Sequence, residues 1–407
     1  MTALQARRLL APLVALPVLL LGVAGAAGAA EPADAAGSGD SGLAPLVGAV
    51  KPNVIKDRYL VVLRGSATSA SVRTASTAAE AEGARVHHRY ATALHGFAAT
   101  LTPQALAALR ADPDVAYVEA DRTVSASETS QSPATWGLDR IDQRLRPLDN
   151  TYRSTSRGTG VRAYVIDTGI RRSHAQFGGR AVTGYDAFGG SGSDCNGHGT
   201  HVAGTIGGST YGVAKGATLV PVRVLDCDGS GTVSGVVAGV NWVTAHHAAG
   251  KPAVANMSLG GGASTTIDNA VATSIRDGVT YSVAAGNDSD DACGYSPARV
   301  GGAITVGATE KLDTRAAFSN VGTCLDLFAP GAGIKSAWYA HDTATQVLSG
   351  TSMAAPHVAG AAALYLQTHP AATPAAVRAA LVDRATTSVV VAPGTGSPNR
   401  LLYSRGL

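Results

Sequence analysis

The chain has 407 residues, of which 45% are hydrophobic and 15% charged, and it contains 49 glycines. This length and composition indicate a globular protein with more than one folding unit and exclude a disordered or coiled-coil chain. The formal net charge is only +3 and no basic cluster stands out, so we expect no nucleic acid partner.

Residues 1–30 are typical of a signal peptide. An arginine pair precedes an apolar run, and small residues suited to a signal peptidase follow near Ala29 or Ala30. A membrane-spanning helix is the alternative, but prolines and glycines keep the run below the roughly 20 residues that a span needs. We therefore expect an exported protein with no membrane segment once the signal is removed. The arginine pair leaves twin-arginine export open, although the general route fits better.

Residues 31–54 are small, polar and turn-rich, which predicts a linker. In residues 55–124, the segments "DRYLVVLRG", "HGFAATLT" and "DVAYVEADRTV" predict strands, while "SVRTASTAAEAEGA" and "TPQALAALRADP" predict helices. We expect a small open α+β domain there. Residues 125–135 lack a hydrophobic period and predict an exposed linker.

Residues 136–407 follow a different pattern. Apolar strands are predicted at "VRAYVID", "ATLVPVRVLD", "AVANMSL", "VTYSVAAG" and "AITVGA", and helices at "TVSGVVAGVNWVTAHHAA" and "TIDNAVATSIRDG". This alternation predicts an α/β fold, a doubly wound and mainly parallel sheet with helices on both faces. Active sites in such sheets gather at the carboxyl ends of the strands.

All four cysteines lie in the second half of the chain, at Cys195, Cys227, Cys293 and Cys324. An even number in an exported chain predicts two disulfides, and the sequence leaves three connectivities open. A zinc site is the alternative, but no two of these cysteines have the short spacing that such sites use.

Four reactive side chains follow predicted strands or open predicted helices. Asp167 ends "VRAYVID", Asn287 follows "YSVAAG", His198 lies in "NGHGTHVAGTIGG" and Ser352 begins the helical run of "GTSMAAPHVAG". Each also has an ordinary interpretation: Asp167 and Asn287 as turn residues, and Ser352 as a helix cap. His198 and His201 could instead be a metal pair on one helix.

Taken together, the four side chains match the parts of a serine nucleophile. Ser352 would attack, His198 would take its proton, and Asp167 would orient the imidazole. The Asn287 amide and the backbone N–H of Ser352, at a helix start, would hold the oxyanion. The sequence therefore predicts nucleophilic catalysis by Ser352. We expect His357, in the same segment, to be structural.

The segments "YVIDTGI", "NGHGTHVAGTI" and "GTSMAAPHVAG", in the order Asp, His, Ser, resemble the three signature segments of the subtilisin-like serine proteases. "WGLDRIDQR", "YGVAKG", "ANMSLGGG", "YSPARV" and "SPNRLLYS" resemble the proteinase K branch, and within it the aqualysin-type enzymes. This likeness runs over nearly all of residues 129–407. Residues 55–124 resemble the inhibitor-type propeptide of the family.

The resemblance implies a secreted, monomeric serine endopeptidase that cleaves proteins with broad specificity, preferring apolar or aromatic residues before the scissile bond. It implies a precursor whose propeptide assists folding, caps the cleft and is cut autocatalytically near residues 128 and 129. Cleavage between Glu128 and Thr129 would place a glutamate in an apolar pocket, so the boundary could lie a few residues to either side.

The resemblance also implies binding residues. An extended substrate would dock between two backbone edges and beside a roomy pocket, although ordinary turn glycines are the alternative; these residues are Gly229, Ser230, Gly231, Ser258, Leu259, Gly260, Ala284 and Gly286. It implies disulfides Cys195–Cys227 and Cys293–Cys324.

Calcium is the cofactor that the resemblance implies, in a structural role and with no catalytic metal. One site would use Gly301, Ala303 and Asp326; a second would use Asp139, Asp142 and Gln143, with Asp149 as a further candidate. A solvated acidic face is the alternative for the second site. For the whole chain, the alternatives are a metal-dependent hydrolase using His198 and His201, and an inactive binding protein that keeps the fold.

Overall fold

The structure is a computed structural model that describes residues 42–50, 54–123 and 128–407. These residues belong to two compact units, one up to Ser125 and one from Ala126 to Leu407. The predicted signal peptide lies outside the described residues, as does much of the predicted linker at 31–54. Within the described ranges, no helix is long and apolar enough to cross a membrane.

In the first unit, residues 42–50 and 54–123 form a five-stranded sheet with two helices. Its elements are β1 (Leu46–Val47), β2 (Val54–Leu63), α1 (Ser69–Ala81), β3 (Arg85–Ala91), β4 (His95–Thr100), α2 (Pro103–Ala111) and β5 (Val115–Arg122). The strand order is β1-β5-β2-β4-β3, and β1 alone pairs parallel to its neighbour. Strands β1 and β3 were not predicted, and β1 lies inside the segment predicted as a linker.

The second unit holds the remaining elements. They are β6 (Thr129–Gln131), α3 (Trp136–Ile141), β7 (Tyr152–Ser154), β8 (Arg162–Asp167), β9 (Tyr185–Asp186), α4 (His198–Gly207), β10 (Thr218–Arg223), α5 (Val233–His246), β11 (Ala253–Met257), β12 (Gly261–Gly262), α6 (Thr265–Asp277), β13 (Thr280–Ala284), β14 (Tyr295–Ser296), β15 (Ile304–Thr309), β16 (Leu327–Pro330), β17 (Ile334–Ala337), β18 (Thr345–Leu348), α7 (Thr351–Thr368), α8 (Pro374–Arg384), β19 (Thr386–Thr387) and β20 (Arg400–Leu401). Short 3₁₀ turns occupy Ala175–Phe177 and Ala292–Gly294.

Nine strands of the second unit form one sheet in the order β19-β20-β16-β15-β13-β11-β8-β10-β9. All neighbours are parallel except β19 and β20. The chain leaves β8 for β10 on one side and later returns to β11 on the other, so the strand order reverses at β8. The prediction of a doubly wound, mainly parallel sheet is confirmed, and its carboxyl edge at β8 is where a site is expected.

Two apolar cores cover the two faces of this sheet, because successive side chains of a strand point to opposite faces. Along β8, Ala163 and Val165 join the core under α4, α7 and α8, while Tyr164 and Ile166 join the core under α5 and α6. Helix α7 is buried on nearly every side by its run of alanines and glycines. A Cβ at Gly360 would lie 2.6 Å from Cβ of Val213, so glycine is needed for this close packing.

Candidate active site

Asp167, the last residue of β8, is completely buried and faces the imidazole of His198. Nδ1 of His198 lies 2.8 Å from Oδ1 and 3.0 Å from Oδ2 of Asp167. The backbone N–H of Thr168 also donates to Oδ1 at 2.7 Å, which fixes the carboxylate. A carboxylate in this position requires the proton on Nδ1, so Nε2 of His198 is left free to accept one.

His198 is the first residue of α4. The loop before it is held in place by a second acidic residue, Asp194. Oδ1 of Asp194 accepts from the N–H groups of Asn196 and Gly197, and Oδ2 accepts from the N–H and hydroxyl of Thr200. Oδ1 of Asn196 in turn accepts from the N–H of His198 at 3.1 Å. Asp194 was not among the predicted site residues, although its position in the glycine-rich segment before His198 was the available signal.

The charges around His198 stabilise its imidazolium form relative to a free histidine. Burial alone lowers the pKa of His198, but the charge and hydrogen bond of Asp167, with the charge of Asp194, outweigh it and hold that pKa above its usual value. About a quarter of the side chain is exposed, so the imidazole can reach a ligand in the cleft.

Ser352 is the second residue of α7, as predicted from the helix start at "GTSMAAPHVAG". Its hydroxyl donates to the carbonyl of Ser258 at 3.1 Å, and the Ser258 hydroxyl donates to the carbonyl of Ser352 at 2.7 Å. The Ser352 carbonyl has no donor from its own helix, because Pro356, four residues on, has no N–H. Among the described residues, no hydrogen bond joins the Ser352 hydroxyl to His198; such bonds often form only with substrate present.

Two donors converge at the start of α7. The N–H and hydroxyl of Thr351 donate to Oδ1 of Asn287 at 2.8 and 2.9 Å, so Nδ2 of Asn287 is directed away from Thr351. A Cβ built on Gly350 would lie 3.5 Å from Nδ2 of Asn287 and 3.6 Å from N of Ser352. Because Gly350 has no side chain, the space between these donors stays open. The arrangement can hold one oxyanion.

A cleft of about 610 Å³ runs past His198. It brings together six of the residues predicted to bind substrate, namely Gly229, Ser230, Gly231, Ser258, Leu259 and Gly260. The predicted strand "AVANMSL" ends early, at Met257, so residues 258–260 carry backbone groups outside the β11 ladder. Such groups can pair with an added strand.

A smaller cavity of about 280 Å³ adjoins Ser352 and Asn287 and includes the predicted pocket residues Ala284 and Gly286. Gly286 has φ +105°, and a Cβ there would lie 2.3 Å from Nδ2 of Asn320. Asn320 is buried, donates to the carbonyl of Ala285 at 3.0 Å and accepts from two amides of the following loop. It supports the pocket floor but was not predicted, since nothing near it in the sequence marks it.

The other two histidines of the signature segments serve packing. His201 is buried, Nε2 donates to the carbonyl of Ile334 at 3.0 Å, and burial lowers its pKa to about 4. His357 is also buried and donates from Nδ1 to the carbonyl of Met353 at 2.8 Å. His201 therefore links α4 to β17 through this hydrogen bond, which does not favour its binding a metal together with His198.

Two disulfides are formed, Cys195–Cys227 and Cys293–Cys324, with the connectivity that the resemblance implied. The first links the loop before His198 to the loop that carries Gly229. The side-chain amide of Asn196 also donates to the carbonyl of Cys227 at 3.0 Å, beside this disulfide. These contacts fix one wall of the cleft against the catalytic loop.

The first predicted calcium site, at Gly301, Ala303 and Asp326, has a competing cation. Oδ1 of Asp326 pairs with the guanidinium of Arg378, and Oδ2 accepts from the N–H of Thr305 at 2.9 Å. Both carboxylate oxygens therefore have partners already. A calcium ion here would have to share Asp326 with Arg378, so the residues fit the ion poorly.

The second predicted site offers free oxygens. Asp139 and Asp142 are buried, and Oδ1 of each has no hydrogen-bond partner among the described residues. The amide of Gln143 donates to two carbonyls, which leaves its own oxygen available, and Asp149 pairs with Arg153. Burial raises the pKa of Asp142 to about 7 and also raises that of Asp139. Hard oxygen donors lacking a partner suit calcium, although no group of three or more His, Cys, Asp or Glu able to hold a metal occurs in the described part of the chain.

Comparison with known proteins identifies the family. Residues 158–401 match the family described as "Subtilase family", and residues 58–127 match "Peptidase inhibitor I9". The chain therefore belongs to the subtilase family and is a serine-type endopeptidase with an Asp-His-Ser triad, preceded by an inhibitor-type domain.

Individual relatives agree with this assignment. The chain is 58% identical over 382 residues to the "Extracellular serine proteinase" of Thermus sp. (strain Rt41A), covering 89% of this chain and 92% of that protein. It is 51% identical over 377 residues to "Alkaline serine exoprotease A" of Vibrio alginolyticus, covering 89% and 70%. A solved "cold adapted subtilisin-like serine proteinase" superposes with a TM-score of 0.65 and 57% identity, over 67% of this chain and 99% of that one.

Replacing Asn287 tests the oxyanion site. We expect Asn287→Leu to lower kcat by about 10²–10³ with little change in KM, because it removes a donor that acts on the transition state; this is the range known for the oxyanion asparagine of subtilisin. Thr351→Val is the matched control, since it removes one bond that orients Asn287 and keeps the donor. A loss with Thr351→Val as large as with Asn287→Leu would contradict the assignment.

Replacing Asp167 tests the charge balance around His198. A base must be neutral to act, so activity should fall as the pH drops through the raised pKa of His198. We expect Asp167→Asn to lower kcat by about 10⁴ at neutral pH, the loss known for this change in another Ser-His-Asp triad. The acid limb should move to lower pH because the anion that raised the pKa is gone. Profiles of kcat/KM against pH that share one acid limb would count against this role.

Proposed function

We propose that this chain is a secreted, calcium-stabilised serine endopeptidase that matures by cutting itself. The observation that carries the proposal is the convergence at the carboxyl edge of the sheet. His198 bonds to Asp167 there at 2.8 Å, and Nδ2 of Asn287 and N of Ser352 lie 3.5 and 3.6 Å from the position that a Cβ on Gly350 would occupy. The extracellular name of the Thermus relative supports secretion.

In the proposed reaction, the Ser352 hydroxyl leaves the Ser258 carbonyl and attacks the carbonyl carbon of the scissile peptide bond. Nε2 of His198 accepts the hydroxyl proton, and Asp167 stabilises the imidazolium that results. The negative charge moves to the substrate oxygen, which accepts from Nδ2 of Asn287 and N–H of Ser352. His198 then gives its proton to the leaving amine as the C–N bond breaks, and water repeats the sequence on the acyl-enzyme.

Substrate binding is proposed to use the two cavities around Ser352. An extended peptide would lie between Gly229–Gly231 and Ser258–Gly260, and the Ser258 carbonyl, once released by Ser352, would accept from its backbone. The side chain before the scissile bond would enter the cavity floored by Ala284 and Gly286. Small residues leave room there for an apolar or aromatic side chain, which supports broad specificity.

The proposal includes cleavage of the precursor near residues 128 and 129. Until it is removed, the inhibitor-type domain would inhibit the protease domain of its own chain. The carboxylate of Glu128 makes two bonds of 2.8 Å to the guanidinium of Arg405, and Thr129–Gln131 pairs with β7. The sequence from Glu128 onward is thus built into the catalytic unit. The bond that is cut would have to leave these contacts to reach Ser352.

Replacing the nucleophile tests the whole proposal. We expect Ser352→Ala to lower casein hydrolysis by about 10⁶, as for the nucleophile of subtilisin, and to leave the precursor uncut. Ser349→Ala is the matched control, an exposed serine three residues earlier that should keep full activity. A serine-directed fluorophosphonate should label the wild type and not Ser352→Ala, and N-terminal sequencing gives the boundary. Hydrolysis retained by Ser352→Ala would overturn the proposal.

Calcium binding at Asp139, Asp142 and Gln143 is the proposed source of stabilisation. With chelator, Asp142→Asn should be at least as stable as wild type, because it removes a buried carboxylate whose Oδ1 has no hydrogen-bond partner among the described residues and whose pKa burial raises to about 7. With calcium, wild type should gain roughly 2–3 kcal/mol at about 100 times Kd and the variant should gain little. Tm measured on fluorophosphonate-inhibited protein checks this. Asp326→Asn, at the site that fits calcium poorly, should keep the gain in stability with calcium. Loss of that gain in Asp326→Asn would instead assign the calcium to the Asp326 site.

A further inference from the structure

A cavity of about 500 Å³ in the catalytic unit has no part in the proposed reaction. It is bordered by β6 and β7 and by the loop between α4 and β10. The described residues that line it include several with hydroxyl groups and two basic residues, Arg157 and Lys215, and none that is acidic. A cavity with this lining has the chemistry to bind an anion.

The amino group of Lys215 forms no salt bridge with any of the described residues. Its ammonium group donates to the carbonyl of Gly212 at 2.8 Å and more weakly to that of Thr210, and it lies 5.5 Å from the ring centre of Tyr152. Burial, followed by the charges of Arg157 and Arg180, lowers its pKa to about 7. The two charges that lower this pKa are positive, and one of the three N–H donors of the ammonium group has no acceptor among the described residues.

Other donors around the cavity are also unused. Among the described residues, neither the hydroxyl of Ser130 nor the guanidinium of Arg157 donates to any acceptor. The hydroxyl of Thr210 accepts from the amide of Gln176 at 3.0 Å, so its own proton is free. These donor groups come from three separate segments of the chain, and the described lining residues include no carboxylate that could accept from them.

One acceptor on the lining narrows the class of anion. The amide nitrogen of Gln131 donates to the carbonyl of Pro133 at 3.2 Å, while Oε1 of Gln131 is buried with no donor among the described residues. An anion that keeps a proton could donate to this oxygen and accept from the surrounding groups. Hydrogen phosphate has such a proton at neutral pH, whereas sulfate and carboxylates do not.

We propose that this cavity binds inorganic phosphate in its protonated form. The ammonium of Lys215 and the guanidinium of Arg157 would meet its charge, the hydroxyls of Ser130 and Thr210 would donate to its oxygens, and Oε1 of Gln131 would accept its proton. Bound phosphate would tie β6, the first strand of the catalytic unit, to the loop that carries Lys215. Phosphate binding does not depend on catalysis by Ser352.

Titration calorimetry with the full-length Ser352→Ala chain, which cannot digest itself under the proposed function, tests the site. At constant ionic strength and without added calcium, phosphate should bind saturably, with about one ion per chain and about tenfold more tightly than sulfate. Lys215→Met should weaken phosphate binding by about tenfold or more, whereas Lys215→Arg, which keeps the charge, should bind. Lys311→Met, at an exposed lysine, is the charge-matched control and should bind as the parent does.

A second variant tests the acceptor. Gln131→Met should abolish the preference for phosphate over sulfate, because it removes the oxygen that accepts the phosphate proton. Circular dichroism and Tm in chloride show whether each variant folds. No saturable phosphate binding by the parent, or unchanged binding by a folded Lys215→Met variant, would overturn the site. Equal affinity of the parent for sulfate would overturn the assignment to protonated phosphate.

Discussion

The position of Ser352 depends on how closely α7 packs against the sheet. Helix α7 is built from alanines and glycines, and it contacts α4 and several strands of the sheet. At Gly360, even one methyl group would collide with Val213. This packing fixes the first turn of α7 beside the carboxyl edge of β11 and β13, so the nucleophile and one oxyanion donor come from the same rigid helix. A helix on larger side chains would stand farther from the strands that carry Ser258 and Asn287.

Two polar side chains, the partly buried Asp194 and the buried Asn320, hold the loops of the site in place. Asp194 uses both carboxylate oxygens to hold the loop before His198, and Asn320 uses both ends of its amide to hold the pocket after β13. Neither group needs to touch substrate. Each fixes a loop whose backbone has no ladder of its own, which is why the site keeps its shape at strand ends where regular hydrogen bonding stops.

The sequence predicted the parts of the molecule that have a short-range signal. Strands β8, β10, β11, β13 and β15 and the starts of α4 and α7 follow from apolar runs and from glycine and serine at element ends. Strand β3 was missed because its "RVHHRYA" face is largely polar and partly exposed, so its register comes from β4 and not from its own pattern. Asp194 and Asn320 were missed for a related reason, since their roles exist only through partners brought close by the fold. The pairing of Arg378 with Asp326 is likewise a tertiary contact, between residues 52 apart in the chain.

Two reciprocal hydrogen bonds between Ser258 and Ser352 connect the backbone edge proposed to bind substrate with the proposed nucleophile. Pro356 leaves the Ser352 carbonyl without its helical donor, and the Ser258 hydroxyl fills that position at 2.7 Å. The Ser258 carbonyl meanwhile accepts from the Ser352 hydroxyl at 3.1 Å. A peptide that pairs with the edge at Ser258 would compete for this carbonyl and so release the hydroxyl toward His198. In the proposed reaction, substrate binding and release of the nucleophile are thus coupled through one carbonyl oxygen. The proline is compatible with the interior of this helix because the Ser258 hydroxyl replaces the missing N–H donor.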